Sequence, residues 1–167
     1  PNLDEMATEG LRLDNFYAQP TCSPTRGSVL TGRHPNRYGI FRPGYSIRPQ
    51  EITIAHLLKE AGYATAHFGK WHVGPVKQSS PTSPGAMGFE HWLSHDNFFE
   101  MDPVFSLNGG PPKKIYGESS EILIDEAMKY IEKKKDSEQP FLLVIWYGSP
   151  HEPYRGFETD LALYRDL

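Results

Sequence analysis

Cys22 is the only cysteine among 167 residues, and it lies in Thr21-Cys22-Ser23-Pro24-Thr25-Arg26-Gly27-Ser28-Val29-Leu30-Thr31-Gly32-Arg33. A single cysteine allows no internal disulfide and leaves the redox compartment open. Its neighbours predict a short helix. Ser23 reads as the N-cap and Pro24 as the first helical residue, where proline gives up no hydrogen bond the helix needs; Gly32 reads as the stop. Residue 22 then lies at the positive end of that helix, where unpaired N–H groups and the dipole favour an anion such as sulfate or phosphate. Arg26, one turn on, can reach back with a planar fork suited to oxyanions. Taken by itself, a lone cysteine at a helix start is an ordinary buried residue.

Two further groups could serve the same anion. In Gly69-Lys70-Trp71-His72-Val73-Gly74 the lysine and histidine are two apart, so on an extended segment both point to one side. Lys70 would be a fixed point charge and His72 a donor or acid/base. His151, in Ser149-Pro150-His151-Glu152-Pro153, is held by flanking prolines in a rigid, extended backbone. Arg33, His34, Arg37 and Arg42 add positive charge from a Pro- and Gly-rich stretch running to Gln50. For Arg37 and Arg42 solvated surface is the plainer reading. His91, His95 and Asp96 could compose a metal set by type alone, but none sits on a predicted regular element. They read instead as residues that shape substrate choice.

The elements that must position these groups follow an α/β pattern. Residues 1–10 predict a short helix, and the alternation from Leu11 to about Ala18 predicts a strand ending shortly before Cys22. Such a strand would put Cys22 at the edge where open α/β sheets bind ligands. A helix is expected from Glu51 or Thr53 to Ala61, with Ile54, Leu57 and Leu58 on its inner face, and a small-residue strand over Tyr63–Gly69. Residues 74–117 read as a loop excursion, anchored by Phe89 and Trp92 and including Asp96-Asn97-Phe98-Phe99. A long amphipathic helix spans Glu118 or Ser119 to Lys135, with Ile124, Ala127, Met128 and Ile131 on one face and lysines in its last turn. The continuous apolar run Phe141-Leu142-Leu143-Val144-Ile145-Trp146-Tyr147 reads as a parallel strand covered on both faces, delivering His151 to the same edge. Residues 158–167 predict a last helix.

Composition narrows the class. Net charge is −4 and the pI near 6.0, so no basic field invites nucleic acid. Aromatics at 13% exclude a disordered chain. No apolar run reaches the ~20 residues of a membrane span, and the N-terminus carries no signal-peptide pattern.

The stretch from Cys22 to Arg33 resembles the sulfatase signature C-x-P-x-R followed by L-T-G-R, with both halves in register. Gly69-Lys70-Trp71-His72, Gly88-Phe89-Glu90-His91-Trp92 and Pro150-His151-Glu152-Pro153 resemble three later segments of the same family. The resemblance implies an alkaline-phosphatase-like α/β sandwich with a mostly parallel sheet flanked by helices. It implies that Cys22 is converted by a maturation enzyme to formylglycine (3-oxoalanine), whose hydrate is the nucleophile on a sulfate ester. In those terms Arg26 orients the diol, Lys70 and His151 hold sulfate oxygens or protonate the leaving oxygen, and His72 assists sulfate release. Arg33 would add to substrate binding. Ca²⁺ or another divalent cation is implied at residue 22, the substrate would be a sulfated small molecule or glycan, and the compartment periplasmic, secreted or lysosomal.

One departure accompanies the resemblance. The family's Asp-Asp metal pair precedes the segment that Pro1 begins, and its later Asp with Asn or His, and a further Lys, follow well beyond Leu167. Residues 1–167 are therefore expected to be an internal part of a catalytic domain, lacking metal ligands other than residue 22. Two alternatives stand beside sulfate-ester hydrolysis: a phosphonate or phosphodiester hydrolase of the same superfamily, and an inactive remnant or binding domain that keeps only the fold.

Overall fold

The small-residue segment after Gly62 and the apolar run before Tyr147 pair as neighbouring parallel strands at the centre of the architecture. A computed structural model describes residues 1–97 and 101–165 of the chain. It holds one five-stranded sheet, in the order β4 (Lys113–Lys114), β3 (Val104–Leu107), β2 (His91–His95), β1 (Ala64–Lys70), β5 (Phe141–Trp146). β1 runs parallel to both neighbours, with Ala66 opposite His91 and Ala64 opposite Phe141. β3 pairs antiparallel with β2 and with β4, so the sheet is mixed, with its parallel part formed by β2, β1 and β5. Only eight residues of sequence separate β2 from β3, fewer than the dozen or so that a parallel crossover needs.

Among the described residues the helices are α1 (Asn2–Glu9), α2 (Cys22–Thr31), α3 (Pro35–Tyr38), α4 (Ile54–Glu60), α5 (Ser119–Lys134) and α6 (Glu158–Ala162). α2 to α5 cover the two faces of the sheet, while α1 and α6 bury no residue. On one face Leu30, Tyr38, Ile40 and Ala55 pack with Trp71 and Phe89 against Leu142, Val144 and Trp146. On the other, Leu123 and Ala127 of α5 pack on Ala66, Phe68, Leu143 and Ile145. β5 thus alternates between two apolar layers, as its uninterrupted hydrophobic run implies, although its residues are only half-buried at the end of the sheet.

Several expectations are corrected here. The predicted strand over 11–18 does not form: Leu11, Leu13, Phe16 and Tyr17 are exposed, and an alternating pattern without a pairing partner has no ladder to satisfy its backbone. The excursion over 74–117 contains β2, β3 and β4, and Phe89 and Trp92 are buried anchors in it. Phe98 and Phe99 lie outside the described residues, as do Asp166 and Leu167 of the expected last helix. α4 has Thr53 as its N-cap, in a capping box with His56, yet turns Ala55 inward and leaves Ile54 and Leu57 exposed. In α5, capped by the Glu118 carboxylate on the Ser120 and Glu121 N–H groups, the inner line is Ser119, Leu123 and Ala127, while Ile124 and Met128 face outward.

Candidate active site

α2 begins two residues earlier than its proline implies. Thr21 is the N-cap, Cys22 the first helical residue and Pro24 the third, while Gly32 closes the helix with φ 66°. Ser23 does not cap because its hydroxyl is used elsewhere: it donates to the His72 carbonyl at 2.6 Å and accepts from the Gly44 N–H at 2.9 Å. These two bonds tie the helix start to the segment after β1. Cys22 therefore sits at the positive end of a ten-residue helix, over the ends of β1 and β5.

The chain leaves β1 at Lys70, and His72 follows at φ 53°. The two side chains do not converge by strand alternation; the turn at His72 brings its ring back, so that Nδ1 lies 3.1 Å from the Cys22 Sγ. The turn is held by N–H bonds from Trp71 to the His95 carbonyl and from His72 to the Asp96 carbonyl, each 2.8 Å. Asp96 also accepts the Val76 N–H at 2.6 Å, and His95 accepts the Asn97 N–H at 3.1 Å. These residues shape the frame of the site, whereas His91 stacks on Tyr130 away from it.

Arg26 donates from Nη1 to the Lys70 carbonyl at 2.6 Å, and its guanidinium carbon lies 4.6 Å from the centre of the Trp146 ring. Cys22, Arg26, Lys70 and His151 line one cavity of about 580 Å³, with Tyr147 and Glu152 on its rim. A second opening at Cys22 is lined by His72, Asn97, Pro43 and Gly44, with His151 shared between the two. Arg33 is not brought to this site. It follows the far end of α2, about 15 Å of helix away, and its guanidinium bonds the buried Glu51 carboxylate at 2.5 Å.

Charge at the site is positive. Burial lowers the Arg26 pKa to about 10, which leaves it protonated at neutral pH. Burial also lowers Lys70, against the opposing pull of Cys22. His72 is lowered to about 4, first by burial and then by the charges of Lys70, Arg26 and His151, so its imidazole is neutral and able to accept a proton. Two fixed cations and a neutral base around one helix terminus can hold a tetrahedral oxyanion and move a proton beside it. A neighbouring cavity of about 790 Å³ carries Glu121 and Asp125, whose charge would repel the same anion.

Room for conversion of Cys22 to an aldehyde hydrate exists, since both openings reach its side chain. A hard divalent cation is a different matter, because it takes about six to eight oxygen ligands. Among the described residues no group of three or more His, Cys, Asp or Glu is placed to hold a metal ion. The residues gathered at Cys22 do not by themselves fit such a cation.

Trp146, Gly44 and Asn97 were not evident as site residues in the sequence. Trp146 alone had a signal, standing at the end of the buried strand that leads to His151; Gly44 and Asn97 are brought in only by tertiary packing.

The sulfatase family model matches residues 1–165. The chain is similar to an ulvan-active sulfatase of Formosa agariphila, at 33% identity over 92% of this chain and 31% of that protein. It is similar to the human N-acetylgalactosamine-6-sulfatase at 42% identity, over 92% of this chain and 35% of that one. A solved structure in complex with its substrate D-glucosamine-2-N,6-O-disulfate superposes with TM-score 0.83 at 30% identity, over 99% of this chain and 32% of that one. The chain thus spans about a third of the length of these relatives. The fold they share is the alkaline-phosphatase-like α/β arrangement. A family match that spans residues 1–165, with relatives and a backbone alike over nearly the same length, shows that this chain belongs to the sulfatase family.

Proposed function

We propose that the protein carrying this chain hydrolyses sulfate esters of sugars or glycans, with residue 22 as the nucleophile after conversion to formylglycine. The observation that carries this reading is the meeting of Cys22, at a helix N-terminus, with Arg26, Lys70 and a neutral His72. A thiol offers one reactive group, whereas the formylglycine hydrate supplies two hydroxyls, one to displace the alcohol from sulfur and one to release sulfate. The chain's own residues do the rest. Arg26, bonded to the Lys70 carbonyl, orients residue 22. Lys70 and His151 take the sulfate oxygens and supply a proton to the departing alcohol oxygen. His72 Nδ1, already within hydrogen-bond distance of residue 22, accepts the proton that must leave for sulfate release. A divalent cation would require oxygen ligands beyond those gathered here.

Sulfated carbohydrate as the substrate class is supported by what the relatives' names and the bound disulfated glucosamine say of those proteins. We take residues 1–167 as part of the catalytic domain, in keeping with the share of the relatives that they cover. The reading also carries a maturation enzyme as partner and a periplasmic, secreted or lysosomal address.

The deciding measurement is mass spectrometry of the tryptic peptide Leu13–Arg26 from full-length protein made beside a formylglycine-generating enzyme, followed by assays on aryl sulfate and aryl phosphate. An aldehyde at residue 22, captured by a hydrazide, together with sulfate release is the expected result. A residue 22 that stays a thiol sinks the nucleophile assignment and leaves an inactive remnant. Turnover of the phosphate or phosphonate ester in preference to sulfate transfers the same machinery to the alternative substrate.

A further inference from the structure

We infer that His67 is a positioning residue for the site: as a Nδ1–H imidazole it receives the Arg26 Nε–H through one enclosed water, and so fixes the plane of the guanidinium beside residue 22. This rests on the role for Arg26 proposed above, and it concerns a residue that the proposed reaction does not itself use.

His67 lies in the middle of β1 with no exposed surface. Its ring is walled by Trp71 at 5.0 Å, Trp146 at 5.1 Å and Phe89 at 5.5 Å between centroids. An ionisable ring in an apolar box needs a reason to be there, since any of several apolar residues would fill the space.

Its Nδ1 faces a single side-chain partner. Nδ1 lies 2.7 Å from the Ser94 Oγ, and Ser94 donates its own hydroxyl proton to the His67 carbonyl at 3.5 Å. With the Ser94 proton on that carbonyl, the Ser94 oxygen accepts Nδ1–H, and in this tautomer, the one the inference takes, Nε2 keeps a bare lone pair. That Nε2 has no hydrogen-bond partner, although it is buried. Arg26 Nε, which can only donate, is likewise buried and unpartnered. One orphan is an acceptor and the other a donor, and both groups rest against the same indole of Trp146. Native interiors rarely leave such atoms unmatched, and an enclosed water bridging polar partners is the ordinary remedy. Burial lowers the basicity of His67 and the nearby Arg26 charge lowers it further, so the ring stays neutral.

The consequence for the site is geometric. With only Nη1 bonded to the Lys70 carbonyl, the guanidinium can pivot about that bond. A second tether at Nε removes the pivot and fixes the remaining N–H groups toward residue 22.

Two arms test this on the full-length protein. In a crystal structure of sufficient resolution, a water is expected within about 3.2 Å of both Arg26 Nε and His67 Nε2. An empty gap, or other partners for either atom, overturns the inference. This arm needs no activity, so it decides even if sulfate-ester hydrolysis fails or a variant does not fold. The second arm compares His67→Phe with His67→Gln, whose amide oxygen reaches the place of Nε2, at matched thermal stability. His67→Phe is expected to lower kcat on an aryl sulfate about tenfold with KM nearly unchanged, the scale on which outer partners of a site act, and His67→Gln to restore most of it. Equal activity in both variants, or a loss confined to KM, would count against positioning.

Discussion

At the scale of single residues, the site is a set of cations arranged around one side chain, and the roles separate by substitution. Lys70 is buried at the end of β1 with the same cavity before it as Cys22. Lys70→Ala in the full-length protein is expected to lower kcat on an aryl sulfate about 10²–10³-fold, the scale for removing one preorganised group that meets developing negative charge. A loss that appears only in KM would instead make Lys70 a binding group. Arg33 provides the contrast, because its guanidinium is committed to Glu51, which has almost no exposed surface. Arg33→Met is therefore expected to leave KM for a small aryl sulfate unchanged and to lower the melting temperature, since it strands a buried carboxylate. A raised KM at unchanged stability would return Arg33 to the substrate. The sequence showed an arginine next to the signature; what it could not show was a carboxylate 18 residues on that claims it.

At the scale of elements, the register between β1 and β5 sets where the site's parts stand. Gly69 pairs with Trp146, has φ 105°, and approaches so closely that an added Cβ would lie 2.1 Å from the Trp146 carbonyl oxygen. Gly69→Ala is expected to destabilise the protein by about 3 kcal/mol or more, by strain and by forcing the two strands apart. Chemical denaturation would read the stability, and a loss below about 1 kcal/mol would mean the strands can give way. This pairing was legible only in part. The helix bearing Cys22, the apolar run of β5 and the long helix α5 announced themselves, because proline and glycine mark helix ends and a six-residue apolar run has few other uses. β2 and β3 did not. In His91-Trp92-Leu93-Ser94-His95 the buried positions include Ser94, and β-pairing to β1 rather than hydrophobic alternation makes it a strand. The opposite error arose at Leu11 and Leu13, where alternation was present and the partner strand was not. His67 escaped notice for a related reason: in Ala64-Thr65-Ala66-His67-Phe68 nothing in the spacing shows that three aromatic rings will close over it.

At the scale of the whole molecule, buried histidines couple the fold to pH. The unfolded chain titrates His67 near 6.5, while in the folded state burial and the Arg26 charge hold it well below that value. Below pH 6.5 the unfolded state thus binds more protons, and stability rises with pH. The contribution is complete above the unfolded value and is lost as pH falls beneath it, at up to about 1.4 kcal/mol per pH unit for one proton. His91, lowered by burial and by Lys133, acts in the same direction. Urea midpoints measured between about pH 5 and 7 should fall on acidification in the wild-type protein and fall less steeply in His67→Gln. Parallel profiles would show that His67 is free to take up a proton when folded. The sheet itself has a consequence of another kind. β5 is its end strand, six apolar residues long, and among the described residues no ladder occupies its outer edge. Produced as these 167 residues alone, the polypeptide offers that row of backbone donors and acceptors to any other extended chain. The segment in isolation is therefore expected to self-associate by strand addition, and its elution volume in size exclusion to depend on concentration.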